Sequence, residues 1–513
     1  MHEMEEELMA TLAGRVWQTV QQYPVKTALE LGEREFTYRE LYDAAASFAQ
    51  SILELEDPNP FVAVMADKSF SCYAGILGIL IAGKAYMPVN PRFPASRNLI
   101  MLRKAGIRVI IAGENADEEL EQVLDDYENE IFILFPEEIE WREKTTMIPR
   151  IVDPDQPAYL LFTSGTTGEP KGVPVSNGNV TAYLDFMHGS YEFYPQDRFT
   201  QLFDLTFDLS VHDMFLAWTS GACLLVPEDT SSFAMSRFIR EKEPTLWFSV
   251  PSVVNVMDRM RLLKPEIFPS IRLSFFCGEA LGENTARAWK TAAAESRVVN
   301  LYGPTEATIA ISRYDIPDEP GKWKVEIGIV AIGKVFAGNS FLILKENIED
   351  QTGELCLAGN QVVCSYYKNE EADRLGFFID NETNTRYYRT GDLVKMDDSG
   401  DLFFLGRKDS EVKISGYRVN LKEIENVLEK YESVRQAVVI FDSREPGAGS
   451  ILAFIVLKED EKTKIEEQLN LLCRDALPWY MVPGKFIFVD EIPLNVNGKV
   501  DRSLLMKRFH DGK

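Results

Sequence analysis

The sequence contains few histidines, only scattered cysteines and no long hydrophobic run. Its 513 residues include four histidines, and none of them belongs to an HExxH motif or a cluster with zinc spacing. The six cysteines form no CxxC pair, and the first residues lack the pattern of a secretory signal. The longest apolar stretches, such as Ala74–Ala82, are well short of the ~18–20 residues that a membrane span requires. These absences predict a cytoplasmic protein with free thiols.

Basic residues are outnumbered by acidic ones. The chain has 54 lysines and arginines against 80 aspartates and glutamates, which gives a formal net charge of −26. A surface this acidic repels phosphate backbones and anionic lipid surfaces. We therefore expect no nucleic-acid partner and no membrane partner, and we expect a monomer.

The length and the pattern of elements predict two domains of different character. A chain of 513 residues exceeds the ~250–300 residues that one hydrophobic core supports. Short apolar runs alternate with helical patterns as far as Leu301, which indicates an α/β fold with a parallel sheet. Antiparallel strands follow after about Asp315. We place the boundary at Gly406–Asp409, with a large domain over 1–408 and a small α+β domain over 409–513.

The strongest local motif is the segment Leu161–Gly172, LFTSGTTGEPKG. It combines four hydroxyl side chains and three glycines with Lys171, directly after an apolar strand. Glycines let backbone N–H groups approach a polyphosphate, hydroxyls donate further hydrogen bonds, and the lysine adds positive charge. The spacing is not that of a Walker A loop. We favour phosphate binding over a flexible surface turn.

Two further motifs follow predicted strands. In Asn300–Thr308, Tyr302 can stack on a purine, and Glu306 suits Mg²⁺, which takes oxygen ligands and shares them with phosphates. The alternative is a proline turn with a solvated glutamate, and the two interpretations carry similar weight. Asp392, in YRTGD, can accept hydrogen bonds from a ribose or can simply lie in a hairpin.

Two motifs lie at the predicted boundary and near the C-terminus. Arg407 can reach a ribose or phosphate, and Asp409 can act as a hinge that absorbs a backbone change, although a basic connector between strands is the simpler alternative. Lys499, on an Asn-Gly turn, has a functional role only if the other domain receives it.

In this order the five motifs resemble those of the superfamily of acyl- and aminoacyl-adenylate-forming enzymes. That superfamily includes adenylation domains of non-ribosomal peptide synthetases, acyl-CoA synthetases and luciferases. Phe36–Leu41, Ala82–Val89 and Leu477–Pro483 resemble further family motifs. One departure is Gln361–Tyr367, where the family usually has arginine-glycine-tyrosine; we interpret that region as structural. The resemblance implies mixed, mostly parallel sheets packed with helices, a distorted β-barrel-like part, and a mobile C-terminal domain.

The resemblance also implies ATP and Mg²⁺ as cofactors. In the family a carboxylate attacks the α-phosphate and expels pyrophosphate. The implied catalytic residues are Thr163, Glu306 as the Mg²⁺ ligand, and Lys499, which bridges the substrate carboxylate and the α-phosphate and stabilises the charge gathered there. Asp409 is the implied hinge, and Gly416 lines the implied tunnel for a phosphopantetheine thiol. The implied ATP contacts are Thr163, Ser164, Gly165, Thr166, Thr167, Gly168, Lys171, Gly278, Glu279, Ala280, Asn300, Tyr302, Gly303, Thr305, Asp392 and Arg407.

The substrate pocket is inferred from the same resemblance. Asp208, in FDLSVHD, falls where amino-acid-activating members place an aspartate for the substrate ammonium, although an aspartate there can also cap a helix. We favour the ammonium role, because an unpaired buried carboxylate rejects substrates that lack the cation. His212 is interpreted as a wall residue rather than a base. The implied amino-acid contacts are Asp208, Leu209, His212, Phe248, Phe275, Cys277, Leu301, Ile309, Ala310 and Lys499.

This mostly apolar wall predicts a small or compact apolar amino acid. L-proline is the first candidate, because the two phenylalanines match a flat ring. No carrier or condensation domain is present, so we expect a free-standing ligase that loads a separate phosphopantetheinylated carrier protein in non-ribosomal peptide synthesis. Arg418 and Lys422 are candidates for a basic patch that meets an acidic carrier.

Four alternatives remain open. They are a D-alanyl–carrier-protein ligase, a β-amino-acid adenylation enzyme, an acyl- or aryl-CoA synthetase, and a catalytically silent nucleotide-binding protein. Asp208 argues against the CoA synthetase, and the presence of every predicted catalytic residue argues against the silent protein. Cys277 in FFCGEA favours the D-alanyl ligase, whereas the segment around Asp208 looks more like that of the prolyl ligases.

Overall fold

The structure is a computed structural model that describes most of the chain. The described residues are 2–113, 123–124, 127–128, 130–164, 169–229, 231–345, 347, 350–408, 411–414, 416–442, 449–458, 465–493 and 500–510. Over these ranges, no helix combines the length and the apolar character needed to cross a membrane.

A nine-stranded sheet forms the centre of the large part of the chain. Its six middle strands run parallel, and antiparallel strands close both edges. This arrangement confirms the parallel α/β sheet that the alternating pattern predicts. In spatial order the strands are Lys334–Val335, Ser312–Asp315, Arg297–Tyr302, Leu273–Phe276, Leu246–Ser249, Arg198–Thr200, Cys223–Val226, Thr27–Leu31 and Arg34–Thr37.

A six-stranded sheet lies beside it, and one hydrophobic core cluster contains residues of both sheets and of the helices that pack on them. Five of its strands are parallel, and the last pair, Pro157–Thr163 and Lys171–Ser176, is antiparallel. The loop of the predicted phosphate motif joins this last pair. The strand order is Phe132–Leu134, Val109–Ile111, Phe61–Met65, Ala85–Val89, Pro157–Thr163 and Lys171–Ser176.

Side-chain caps define several helix starts. Thr37 and Glu40 form a capping box before the helix Tyr38–Glu54, and Ser69 caps the helix Phe70–Ile81. Two helices, His2–Met9 and Leu12–Gln22, begin the chain, and Thr11 caps the second by accepting the Gly14 N–H. The helices of the large part are His2–Met9, Leu12–Gln22, Tyr38–Glu54, Phe70–Ile81, Ala95–Ala105, Asn177–Ser190, Leu209–Ser220, Ser232–Lys242, Pro251–Arg259, Glu283–Ala292 and Glu370–Gly376, with 3₁₀ turns at Pro136–Glu138, Thr305–Ala307 and Pro320–Lys322.

The antiparallel strands predicted after Asp315 form an open sheet. The region expected to be barrel-like is five-stranded, and none of the sheets in the described ranges closes into a barrel. Its strands are Asn339–Leu344, Thr352–Gly359, Arg386–Met396, Phe377–Ile379 and Leu402–Arg407, and a short hairpin, Val325–Glu326 with Ile329–Val330, lies apart from it.

The described residues after 410 form a small α+β unit with a hydrophobic core of its own. The strand Tyr417–Asn420, which pairs with Glu411–Ile414, is absent from the sequence-based prediction. The predicted fold class, a large α/β part followed by a small α+β part, is confirmed. The remaining elements are the strands Val434–Asp442, Ser450–Leu457 and Lys485–Phe488, the helices Leu421–Glu429, Ile465–Ala476 and Arg502–His510, and a 3₁₀ turn at Trp479–Met481.

Candidate active site between the large and small units

Three neighbouring parallel strands end at the same edge of the nine-stranded sheet. They are Leu246–Ser249, Leu273–Phe276 and Arg297–Tyr302, and glycine-containing turns follow the last two. Gly278 adopts φ +87°, and a Cβ there would lie 3.1 Å from Val250 Cγ1 and 3.6 Å from Gly416 Cα. Ligands of open α/β sheets bind at such strand ends.

A cavity of about 500 Å³ opens at this edge, between the large part and the small unit. Its volume is within the ~300–1,000 Å³ typical of small-molecule sites. Eight of the predicted contact residues line it: Gly278, Glu279, Ala280, Asn300, Leu301, Tyr302, Asp392 and Arg407.

A smaller space of about 70 Å³ adjoins the cavity, since Gly278, Asp392, Arg407 and Lys413 line both. It brings together further predicted residues of the phosphate motif, the substrate pocket and the tunnel. These are Thr163, Ser164, Asp208, Leu209, Gly303, Thr305 and Gly416. Gly165, Thr166, Thr167, Gly168, Asp409 and Lys499 lie outside the described residues.

Two predicted phosphate-binding residues lie at the end of the six-stranded sheet but line different cavities: Thr163 lines the smaller space, and Lys171 lines a separate cavity with Tyr366 and Arg418. Thr163 and Lys171 oppose each other across the antiparallel ladder. The Thr163 hydroxyl is buried and has no hydrogen-bond partner in the described part of the chain. The Lys171 ammonium lies 4.9 Å from the centre of the Tyr366 ring. An orphaned buried hydroxyl is costly unless a ligand satisfies it.

The predicted ribose residues are paired with each other. Arg407 Nη1 donates to Asp392 Oδ1 at 2.7 Å, and the Tyr302 hydroxyl donates to Asp392 Oδ2. Asp392 and Arg407 lie opposite each other in neighbouring strands, which explains the contact. Tyr302 is thus fixed with its ring in the wall of the larger cavity.

Glu306, the predicted metal ligand, is fully buried. Burial acts to raise the pKa of its carboxyl group, but Arg418, Lys171 and the Tyr366 hydroxyl outweigh it, so the pKa lies below the usual range. No cluster of three or more metal-binding side chains occurs among the described residues. One ionised carboxylate suits Mg²⁺, which takes oxygen ligands and typically receives the others from substrate phosphates and water.

Asp208 lies just before the helix Leu209–Ser220, yet its side chain makes no capping hydrogen bond there. Instead its Oδ2 accepts the backbone N–H of Ile309 at 3.0 Å. Burial raises the pKa of this carboxyl group to about 6, although the Ile309 N–H, Lys413 and Thr305 act to lower it. No lysine or arginine in the described ranges forms an ion pair with it. A ligand ammonium is the partner that such a carboxylate lacks.

Six residues of the predicted pocket wall are buried but line neither of the two spaces: His212, Phe248, Phe275, Cys277, Ile309 and Ala310. The His212 ring packs against Phe248 and Phe275, with centroid distances of 4.2 and 5.1 Å. His212 Nδ1 lies 2.5 Å from the Tyr183 hydroxyl, and burial lowers the pKa of this imidazole to about 3. His212 is therefore neutral, as expected of a wall residue. Leu301 is also buried.

Glu279 and Gly416 connect the large part to the small unit. Glu279 Oε2 accepts the Ser252 N–H at 2.9 Å, and its Oε1 accepts the Gly416 N–H at 3.0 Å. Gly416 adopts φ +85°, and a Cβ there would lie 2.5 Å from Val250 Cγ1. Only glycine allows this close approach of the two units.

Sequence reasoning missed several residues of the site. Tyr366 donates to Glu306 at 2.7 Å, although its segment was interpreted as structural. Gln361, in the same segment, donates to the backbone carbonyl of Ala310 at 2.7 Å and so supports the pocket wall. Arg418, expected on a carrier-docking patch, is instead buried against Glu306 and Glu411, and this expectation was wrong. The segment Gln361–Tyr367 lacks the arginine-glycine pair that the family usually has there. This departure was the signal in the sequence that could have pointed to the contacts of Gln361 and Tyr366.

Comparison with known proteins agrees with this architecture. The chain belongs to the AMP-binding enzyme family: that family's main domain matches residues 16–367, and the AMP-binding enzyme C-terminal domain matches residues 423–499. The predicted membership of the adenylate-forming superfamily is thus confirmed.

Three relatives illustrate the similarity. Tyrocidine synthase 3 of Brevibacillus parabrevis is 31% identical over 495 residues, which cover 94% of this chain and 7% of the synthase. The Vibrio cholerae adenylation domain AlmE, in complex with glycyl-adenosine-5'-phosphate, is 27% identical with a TM-score of 0.86 over 98% of each chain. PA1221, an NRPS protein containing adenylation and PCP domains, is 25% identical with a TM-score of 0.80 over 99% of each chain. The chain spans 7–44% of the length of three synthases that it matches.

Proposed function

We propose that the chain activates an amino acid with ATP and transfers the acyl group to a carrier thiol. The observation that carries this proposal is Asp208, a buried carboxylate beside the nucleotide-sized cavity that forms no ion pair among the described residues, although Lys413 acts on it at longer range. An α-ammonium group would supply the missing charge. The AlmE complex supports the assignment, because its ligand is an aminoacyl adenylate.

The first step joins the substrate carboxylate to AMP. A carboxylate oxygen attacks the α-phosphorus of ATP, and pyrophosphate leaves. Tyr302 flanks the adenine, while Asp392 and Arg407 hold the ribose. The phosphates lie against Thr163, Ser164, the loop 165–168 and Lys171, with Thr305 at the α-phosphate. The orphaned Thr163 hydroxyl supports this assignment, and so does the lining of the two spaces by Tyr302, Asp392 and Arg407 and by Thr163, Ser164 and Thr305.

Glu306 would hold Mg²⁺, which neutralises phosphate charge during the transfer. Lys499 would bridge the substrate carboxylate and the α-phosphate. Residues 1–408 and 409–513 would act as two units that reorient about Asp409. In the second step a carrier thiol enters along Gly416 and attacks the acyl carbonyl, the acyl–phosphate bond breaks, and AMP leaves.

The substrate would be small or compact and apolar. The proposed wall residues Phe248, Phe275 and Leu301 are buried, carry no charge and do not line the space beside Asp208, which measures only about 70 Å³. L-proline remains the first candidate and D-alanine the second. The glycyl ligand of AlmE supports a small substrate.

The carrier would be a phosphopantetheinylated protein or domain. PA1221, which aligns over 99% of this chain, is an NRPS protein that contains adenylation and PCP domains. The two-unit arrangement here, with Gly416 packed against the large part, is compatible with an acyl acceptor arriving between the units.

The test is amino-acid-dependent ATP–pyrophosphate exchange across L-proline, D- and L-alanine, glycine, β-amino acids and aryl acids. One strong amino-acid response, lost in Lys499→Ala, is expected. Exchange driven only by an aryl or fatty acid, with CoA as acceptor, would overturn the role of Asp208. Holo-carrier loading, followed by mass spectrometry, then tests the transfer step.

A further inference from the structure

The Arg418 side chain crosses from the small unit into the proposed metal site. It extends from the strand Tyr417–Asn420, and only 17% of the side chain is exposed. Its Nη1 donates to Glu306 Oε2 at 3.0 Å and to Oε1 at 3.2 Å, while its Nε donates to Glu411 Oε2 at 2.5 Å. The Tyr388 hydroxyl lies 3.2 Å from the same Nη1. The guanidinium is therefore held from several sides.

This contact closes the Glu306 carboxylate to other cations. Glu306 Oε1 also accepts the Tyr366 hydroxyl at 2.7 Å, and the residue has no solvent exposure. Mg²⁺ requires short, nearly octahedral oxygen contacts and usually keeps several waters. A hydrated divalent cation therefore cannot reach Glu306 while the guanidinium occupies this position, and like charges add repulsion.

Glu411, the small-unit carboxylate that contacts Arg418, also contacts the proposed ribose pair, Asp392 and Arg407, through Arg407. Glu411 Oε2 accepts Arg407 Nη2 at 2.6 Å, and Arg407 Nη1 contacts Asp392. Glu306, Arg418, Glu411, Arg407 and Asp392 thus form one continuous chain of alternating charges. Placing Mg²⁺ on Glu306 would break the first link of this chain.

Backbone contacts couple the position of Arg418 to the approach of Gly416. The Ser164 hydroxyl donates to the Arg418 carbonyl at 2.7 Å, and the Gly416 N–H donates to Glu279 at 3.0 Å. When Arg418 pairs with Glu306, Gly416 therefore packs beside Gly278, where the acyl carbonyl would be attacked.

We infer that Arg418 is a positioning residue that substitutes for Mg²⁺ at Glu306, so that bound Mg²⁺ and this arrangement of the small unit exclude each other. Mg²⁺ with ATP displaces Arg418 and moves the small unit away, and departure of Mg²⁺ with pyrophosphate lets Arg418 return. Glu306 keeps a cationic partner at both stages, which avoids the several kcal/mol that an unpaired buried charge costs. The inference rests on the proposed nucleotide and metal sites.

The binding of nucleotide to the full chain, without amino acid, tests this exchange. The fraction of molecules in which Arg418 occupies Glu306 reduces the apparent affinity for a metal-bound nucleotide. Arg418→Met removes the charge and keeps most of the length. Titration calorimetry with Mg²⁺ and β,γ-methylene-ATP should show at least 5-fold tighter binding to Arg418→Met than to wild type. In EDTA the difference should shrink below 2-fold.

Arg435→Met is the matched control, because Arg435 is an exposed arginine of the same unit whose Nη2 lies 3.4 Å from the Asp490 carbonyl. It should bind the analogue as wild type does. Arg418→Lys, which keeps a charge but loses the planar fork, should give a gain of about 2-fold. Arg418→Lys also serves if Arg418→Met fails to fold.

The outcomes separate this inference from the proposed function. Unchanged or weaker binding of the Mg²⁺ analogue by a folded Arg418 variant overturns the exchange, and so does a gain that persists in EDTA. Failure of the wild-type chain to bind the analogue overturns both proposals. Arg418→Met should also slow the single-turnover transfer of the acyl group from a preformed adenylate to holo-carrier. A general loss of stability would slow this transfer too, but it would not also tighten nucleotide binding.

Discussion

Asp208→Asn should make the protein more stable and inactive. The carboxyl group of Asp208 is buried, and its pKa rises from 3.8 to about 6 on folding. A difference of about 2 pKa units corresponds to ~3 kcal/mol of folding free energy lost when the group ionises. Asparagine has nearly the same shape, still accepts the Ile309 N–H and carries no charge. At pH 8 the variant should therefore be more stable than wild type by up to ~3 kcal/mol.

The gain should depend on pH in one direction. A carboxyl group whose pKa is raised on folding destabilises the folded protein only when it is ionised. The advantage of Asp208→Asn is therefore full above about pH 6, falls as the pH decreases, and disappears near pH 4. The shift of the thermal unfolding midpoint is the change in free energy divided by the unfolding entropy, which is ~2.1 cal/mol/K per residue. For a cooperative unit of about 400 residues, ~3 kcal/mol therefore raises the midpoint of the variant by roughly 3 to 4 °C.

Activity should change in the opposite direction. The variant cannot pair with a substrate ammonium, so kcat/KM for amino-acid-dependent pyrophosphate exchange should fall about 100-fold or more. Asp197→Asn is the control, because Asp197 is also buried but forms an ion pair with Arg272. That variant should lose stability and keep its substrate preference. Thermal unfolding from pH 4 to pH 8 and the exchange assay measure both effects.

Two results would refute this reasoning about Asp208. The first is an Asp208→Asn variant that is less stable than wild type at pH 8, which would mean that the ionised carboxylate has a stabilising partner. The second is full amino-acid activation by a correctly folded variant, which would remove the ammonium role.

Three other perturbations test the remaining geometry. Gly416→Ala should slow carrier loading at least 10-fold and leave pyrophosphate exchange nearly unchanged, because the added Cβ would collide with Val250. A second change, Val250→Ala, in the same chain should restore part of the loading rate. Equal loss of exchange and loading in Gly416→Ala would contradict this prediction. Arg97→Ala leaves the buried Glu423 carboxylate unpaired and should weaken the packing of the small unit against the large part by ~3–5 kcal/mol. Faster proteolytic cleavage between the two units would reveal this loss. The double variant Arg97→Leu with Glu423→Leu should be close to wild type, because it leaves no unpaired charge. EDTA should abolish exchange and Mg²⁺ should restore it, whereas Glu306→Gln should lower the response to Mg²⁺; exchange that persists in EDTA would exclude the metal role.

Much of the fold was predictable from local patterns. Phe61–Met65, for example, is an apolar run between turn residues and forms a fully buried strand, because such a run leaves little choice of structure. The strand Tyr417–Asn420 was missed, since its alternating tyrosine, arginine, valine and asparagine carry only one buried aliphatic side chain. Its pairing depends on the tight turn at Gly416, which the sequence does not reveal.

The site was predictable where one motif supplies several contacts, and less so where distant segments meet. Glu306 and Arg418 are 112 residues apart, and Tyr183 and His212 belong to different helices. No local pattern indicates that an arginine of the small unit will take the position proposed for a metal. The motifs single out many of the residues that line the two candidate spaces, but the pairing of those residues depends on how the two units pack.

The three buried carboxylates of the candidate site differ in whether they already have a cationic partner, and this difference indicates the charge that each ligand must carry. Glu306 and Asp392 already have arginine partners, so a ligand at either position exchanges one favourable interaction for another. Asp208 has no ion-pair partner in the described ranges, and burial raises its pKa. Amino-acid binding would thus stabilise the large unit directly, whereas nucleotide binding would mainly redistribute contacts between the units. With this distribution of charge, the proposed amino-acid substrate would be bound tightly, while the small unit would remain able to change its contacts for the proposed transfer to the carrier thiol.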